Sequence, residues 1–207
     1  MNLQIYCSKM ADDTNLILQM TSDIVTENSE FAVEASKLNK KGKPVPREYC
    51  PKEIWVKKDY KHLNDSSLPP LFYTSSHWFV SGSVAEILRD HDMGDGALYP
   101  VVALKSDRVS RFGGEYYCWI FGNSKSAFLE EQSPDVPEMD GVGRSLCVMP
   151  WTMKDDDVAV SADALGSPDV WVDPKLFKSV FFSGGLPEAL ISAGLKNKFR
   201  LYRCRLI

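Results

Sequence analysis

The chain is poor in the side chains that most enzyme mechanisms draw on. It carries three histidines in 207 residues, His62, His77 and His91. None stands in an H-E-x-x-H or related ligand spacing, which removes the helix-borne zinc-protease motif. His77 precedes the apolar Trp78 and His91 falls in the last turn of an expected helix, where a cation is favourable, so both read as structural. Cysteine is equally thin: Cys7, Cys50, Cys118, Cys147 and Cys204 are scattered, with no C-x-x-C pair. They read as buried, reduced thiols, and no metal or cofactor is expected. No apolar run reaches the roughly 18 residues of a spanning helix. The stretch Met1–Cys7 lacks a basic region followed by an apolar one, so a cytoplasmic location is expected. The G-x-S-x-G elbow, G-x-G-x-x-G and the P-loop lysine are also missing, so no catalytic residue is assigned.

What is present is a repeat. Trp78-Phe79-Val80-Ser81-Gly82 leads into Glu86, Ile87 and Leu88; Val180-Phe181-Phe182-Ser183-Gly184 leads into Glu188, Ala189 and Leu190. Each copy reads as a strand, a Ser-Gly break, a short amphipathic helix and a second strand. Ser81 or Ser83, and Ser183, sit where helix caps are expected. The expected architecture is α+β, with a mixed, largely antiparallel sheet and short helices, containing two similar strand-helix-strand units. The chain is long enough for a single domain (1–207) or two packed lobes (1–105 and 106–207).

Other elements follow from local pattern. Strands are expected over 3–7, 15–20, 53–56, 97–104 and 146–151, and a helical turn or two over 30–38. Tyr116-Tyr117-Cys118-Trp119-Ile120-Phe121 is apolar on both faces, which predicts a central strand. Residues 40–46, 65–70 and 133–143 read as loops. Asp173-Pro174-Lys175 reads as a helix start, Leu186–Ala193 as a helix stopped by Gly194, and 199–206 as an alternating strand.

Net charge is −4 but uneven. Nine basic residues face three acidic ones between Lys37 and His62, and eleven acidic face two basic between Glu130 and Asp173. The acidic stretch is the candidate partner surface: Glu130, Glu131, Asp135, Glu138, Asp140, Asp155, Asp156 and Asp157, with Trp151 read either as an aromatic anchor beside it or, as tryptophan burial favours, as part of the core. Consecutive carboxylates on an extended segment point to alternate sides, so Asp155–Asp157 is not read as a metal site. An overall acidic chain with no nucleic-acid-binding signature predicts no direct nucleic-acid contact, despite the lysine-rich loop.

The segment Asp169-Val170-Trp171-Val172-Asp173-Pro174, followed by Val180-Phe181-Phe182-Ser183-Gly184-Gly185-Leu186, resembles a bacterial family of immunity proteins from polymorphic toxin systems, typified by a myxobacterial member. Val80-Ser81, Leu88 and Tyr99-Pro100-Val101 are similar to that family's central element. The resemblance covers about residues 71–104 and 155–207. It implies a cytoplasmic antidote with no active site, which binds a cognate toxin domain, often a nuclease, by stoichiometric non-covalent association. Two other classes stay open: a small hydrolase using Ser81 or Cys50, and a sensor that holds a small ligand between the two units, with Arg203 or Arg205 in its cavity.

Overall fold

The computed structural model describes residues 4–139 and 146–207. In chain order the strands are β1 (Tyr6–Ser8), β2 (Met20–Ser22), β3 (Glu53–Val56), β4 (Leu71–Thr74), β5 (His77–Ser81), β6 (Ala97–Leu104) and β7 (Tyr116–Ile120). They continue as β8 (Cys147–Val148), β9 (Ala159–Val160), β10 (Val170–Trp171), β11 (Leu176–Phe177), β12 (Val180–Phe182), β13 (Leu201–Arg203) and β14 (Arg205–Leu206). The helices are α1 (Asp23–Glu27), α2 (Ser29–Lys40), α3 (Gly82–Arg89), α4 (Leu186–Ser192) and α5 (Lys196–Phe199). The fold is α+β with mixed and antiparallel sheets. No helix among the described residues is long and apolar enough to cross a membrane.

The repeat is a shared topology. A six-stranded sheet runs β2-β3-β6-β7-β5-β4, and a four-stranded sheet runs β10-β12-β1-β13. In the first, β7 lies antiparallel between β5 and β6; in the second, β1 lies antiparallel between β12 and β13. Each unit is therefore a β-α-β crossover split by one inserted antiparallel strand. A lobe boundary near residue 105 does not separate the sheets. β1 belongs with the second unit and β7 with the first.

Strand alternation builds three apolar layers from these sheets. Trp78, Val80 and Trp119 face inward to meet Val180, Phe182, Leu186, Leu190 and Phe199 of the second unit. Trp119 sits edge-on to Phe199, with ring centroids 6.0 Å apart, and lies stacked near Phe182 at 6.3 Å. The outer face of the larger sheet packs Ile54, Phe72, Phe79, Cys118 and Ile120 beneath α2. The outer face of the smaller sheet packs Cys7, Trp171, Phe181 and Cys204 against the 127–176 segment. Asn123 joins the sheets: its amide donates to the carbonyls of Met93, Phe121 and Val170 and accepts from the Asp95 N–H.

Several expectations are corrected. Residues 14–16 form a 3-10 turn, and the second strand starts only at Met20, because Asp13 caps that turn through the Asn15 N–H. Strand structure in 146–151 shrinks to Cys147–Val148, and the 199–206 strand breaks at Arg200 and Cys204 into α5, β13 and β14. Asp173-Pro174 starts no helix. Asp173 is buried, its Oδ2 accepting from the backbone N–H groups of Ala127 and Phe128 at 2.8 Å and its Oδ1 from Lys175 N–H at 2.9 Å.

The serine caps are corrected as well. Ser81 occupies the N-cap position of α3, but its hydroxyl pairs with the Ser83 hydroxyl at 3.0 Å and leaves the helix N–H groups alone. Ser183 Oγ donates to the Pro168 carbonyl, and Gly185 occupies the cap position of α4. Gly184 is required: at φ +62 an added Cβ would lie 2.4 Å from Asp169 Oδ1.

The motif residues that carry the family resemblance thus hold the fold. Trp171 stacks on Phe181 at 4.2 Å, Asp169 accepts from Asp92 N–H, and Asp173 braces 127–128. Asp173→Ala strands buried backbone donors and should lower unfolding free energy by about 3 kcal/mol, with Asp173→Asn losing less, measured by urea denaturation.

Candidate functional site

Trp151 is the most exposed large apolar side chain of the described residues, at 94%. Its loop is held from below. Lys9, only 4% exposed although a lysine, extends its ammonium to the carbonyl oxygens of Pro150 and, at 2.8 Å, Trp151. The same ammonium lies 5.9 Å from the indole centroid. Burial pushes the Lys9 amine down from its ordinary value. A buried cation satisfied by two loop carbonyls fixes the loop that displays the indole.

Behind Trp151 lies a groove of about 700 Å³, walled by Ile17, Pro137, Val148, Met149, Pro150 and Arg200. Ile17 is also largely exposed for its type. Charges around the groove pair locally, Lys178 with Asp12 at 3.4 Å and Arg200 with Asp13 at 3.8 Å. Arg200 also borders a second depression, lined by Asp155, Lys196, Asn197 and Tyr202.

The predicted acidic residues divide into groups. Glu138 follows the groove-wall residue Pro137 and is exposed; Glu131 and Asp135 are exposed on the same stretch. Glu130 and Glu138 both lie near the Cys147 thiol, which burial, reinforced by these carboxylates, pushes up to about 11. The three consecutive aspartates are tied into a turn. Asp155 accepts from Arg203 N–H, Asp157 from Lys154 N–H, and Asp156 takes a two-point ion pair from the Arg203 guanidinium. Asp140 lies outside the described residues.

A second cluster has no counterpart in the sequence motifs. All five cysteines are free and buried, as read from the sequence. Three residues far apart in the chain nonetheless meet: the ligand atoms of Cys50, His77 and Cys118 lie within 4.8 Å of one another. Register explains two of them. Phe79 pairs with Cys118 across β5 and β7, and His77 is two residues before Phe79 on the same strand face. Cys50 arrives from the 3-10 turn at 47–49, which Arg47 ties down by donating to the carbonyls of Cys50, Pro51 and Pro100.

The His77 ring is fixed at both nitrogens, Nδ1 lying 2.7 Å from the Ser75 carbonyl oxygen and Nε2 3.0 Å from that of Tyr49. The turn before it is strained: Ser75 and Ser76 adopt φ of +49 and +67, a left-handed pair that costs non-glycine residues about 1 kcal/mol or more each. A hydrogen bond from Cys118 is the main cause that holds the Cys50 thiol down to about 6 against its burial, with the His77 ring and the Arg47 charge adding to it. Burial, with Cys50 adding to it, pushes the Cys118 thiol well up. Ser81, by contrast, pairs its hydroxyl with that of Ser83 and has no histidine partner among the described residues.

No family model matches the chain, and no curated protein matches it.

A cavity of about 240 Å³ lies between the two units, lined by apolar groups including Tyr73, Trp78, Phe121 and Val172 together with the polar Asp13, Lys40, Lys178 and Ser179. Arg203 and Arg205 are not in its lining. Arg203 is bound to Asp156, and Arg205 donates to the Gln132 carbonyl.

The Arg203 guanidinium holds the Asp156 carboxyl below its ordinary value of 3.8. The pair therefore supports the native state above that ordinary value and fades as pH falls through the lowered one. Arg203→Met should move the Asp156 titration upward toward 3.8, read by carboxyl NMR; an unmoved titration would show that the pair does not persist in solution.

Proposed function

We propose that this protein is an antidote: it binds a cognate bacterial toxin domain one-to-one, in the cytoplasm, through the face built around Trp151. The observation that carries this reading is a tryptophan at 94% exposure, held out by a buried lysine. Exposing an indole forfeits the burial that large aromatics normally contribute to folding, and rigid aromatic anchors beside a groove are the usual centre of binding energy at protein interfaces. Fixing the loop in advance reduces the ordering cost of association.

The partner chemistry follows from charge. Glu138 follows the groove-wall residue Pro137, Glu131 and Asp135 are exposed earlier on the same stretch, and the chain as a whole is acidic. A basic toxin domain, such as a nuclease with a phosphate-binding surface, would be steered to it by complementary potential. The resemblance in residues 155–207 points to the same class of protein.

The hydrolase reading has one observation in its favour, the lowered Cys50 thiol beside His77. Cys50 is 1% exposed and His77 2%, so a substrate carbonyl has no approach to the sulfur. The binding reading is therefore preferred.

The test is co-expression with the product of the neighbouring gene, scored by growth rescue and by calorimetric affinity. Trp151→Ala should weaken binding by roughly 30-fold or more with an unchanged melting temperature. Wild-type affinity in that variant would displace the contact surface from Trp151. Absence of any rescue by the unaltered chain would remove the antidote reading, and loss of rescue in a folded Cys50→Ala variant would favour the hydrolase.

A further inference from the structure

The Cys50, His77 and Cys118 cluster lies in the apolar layer under α2 with Ile54, Phe79 and Ile120, and Trp151 belongs to neither that layer nor its lining. We propose that these three side chains hold a single zinc(II) ion, with the Tyr49 carbonyl oxygen beside His77 as the fourth donor.

The donor set is the first argument. Two sulfurs and an imidazole are ligands that zinc takes readily, and all three are buried. Spacing is the second. Two Zn–S bonds of about 2.3 Å at a tetrahedral angle place the sulfurs about 3.8 Å apart. The three ligand atoms already lie within 4.8 Å, so closure onto an ion needs shifts of about 1 Å or less.

The third argument comes from His77. A neutral imidazole has one N–H, yet both ring nitrogens face carbonyl oxygens. With the proton on Nδ1, donation to the Ser75 oxygen at 2.7 Å is satisfied. This is the outer-shell bond that orients a ligating histidine. Nε2 then presents a lone pair to the Tyr49 oxygen at 3.0 Å, a repulsive contact. A cation shared by both atoms turns the repulsion into attraction. The separation is close to the roughly 3.3 Å expected between N and O ligands about 2.0–2.1 Å from one tetrahedral ion.

Charge balance is the fourth. Binding holds both cysteines as thiolates, any thiol proton they still carry passing to solvent, and two thiolates cancel the ion's charge inside an apolar layer. The strained Ser75–Ser76 turn leads into His77, the Arg47-braced turn delivers Cys50 and β7 supplies Cys118, with no contribution from the Trp151 loop.

The full chain, reduced and freed of metal by a chelator, should take up one zinc per molecule in competition with a chromophoric chelator. Its melting temperature should rise by several degrees. X-ray absorption at the zinc edge should report two sulfur and two nitrogen or oxygen neighbours in the unaltered protein, a reading that needs no variant to fold. Cys118→Ser should weaken uptake by roughly tenfold or more. Cys7→Ser, which alters the separate buried thiol near Cys204, should leave uptake at the wild-type level. No uptake, a coordination shell without sulfur, or wild-type uptake in Cys118→Ser would each overturn the proposal. So would a Cys50–Cys118 disulfide whose reduction fails to restore zinc binding. Toxin neutralisation is scored separately, so failure here leaves the antidote reading standing.

Discussion

Burial of Trp119 against Phe182 and Phe199 is the contact on which the rest of the molecule depends. Neither sheet can cover its own inner face. The larger sheet turns Trp78, Val80 and Trp119 to one side, and the smaller turns Val180 and Phe182 toward them, with α3 and α4 filling the space between. Truncating a buried tryptophan of this kind typically removes 3–5 kcal/mol, roughly, which is a large share of a domain's net stability. Among the described residues the indole nitrogen of Trp119 has no hydrogen-bond partner, so packing holds the ring. That arrangement explains why a repeated unit makes one shared core here.

The repeat was legible in sequence because it is written in strong signals: a β-rich triplet, a Ser-Gly break and a helical period. The central position of β7 was legible for the same reason, since Cys118 and Trp119 must face opposite apolar layers. Residues whose partners are distant were not legible. Asp173-Pro174 has the local form of a helix start, but tertiary contacts recruit the carboxylate for the N–H groups of Ala127 and Phe128. Ser81 and Ser183 have the right position for caps and bond elsewhere. Trp151 was readable as an anchor or as core, and only the Lys9 contact, from the opposite end of the chain, separates the two. The meeting of Cys50, His77 and Cys118 depends on strand register and a 3-10 turn, neither of which leaves a spacing motif; the one available hint was two metal-ligand residues placed on strands expected to be buried.

The two candidate sites use different physics and sit in different layers. Around Trp151 an apolar ring is kept in water and the groove beside it holds two local ion pairs, Lys178 with Asp12 and Arg200 with Asp13, which suits recognition by shape at the groove itself. Around Cys50 polar atoms are kept out of water in a strained, tightly braced pocket of the core, which suits holding something small and permanent. Nothing in the hydrogen bonding of one draws on the other, so each can be altered without a direct effect on its counterpart.

The position of β1 has a consequence for biosynthesis. Tyr6–Ser8 is an interior strand whose two neighbours are residues 180–182 and 201–203. During translation this segment must wait, without its sheet partners, until nearly two hundred further residues have been made. Closure of the smaller sheet therefore waits for residues 180–203 and is dominated by long-range pairing, the slow regime of folding. Lys9 follows directly after β1, so the loop that displays Trp151 acquires its support only once β1 is docked; a chain cut before residue 180 would lack the supported Trp151 loop.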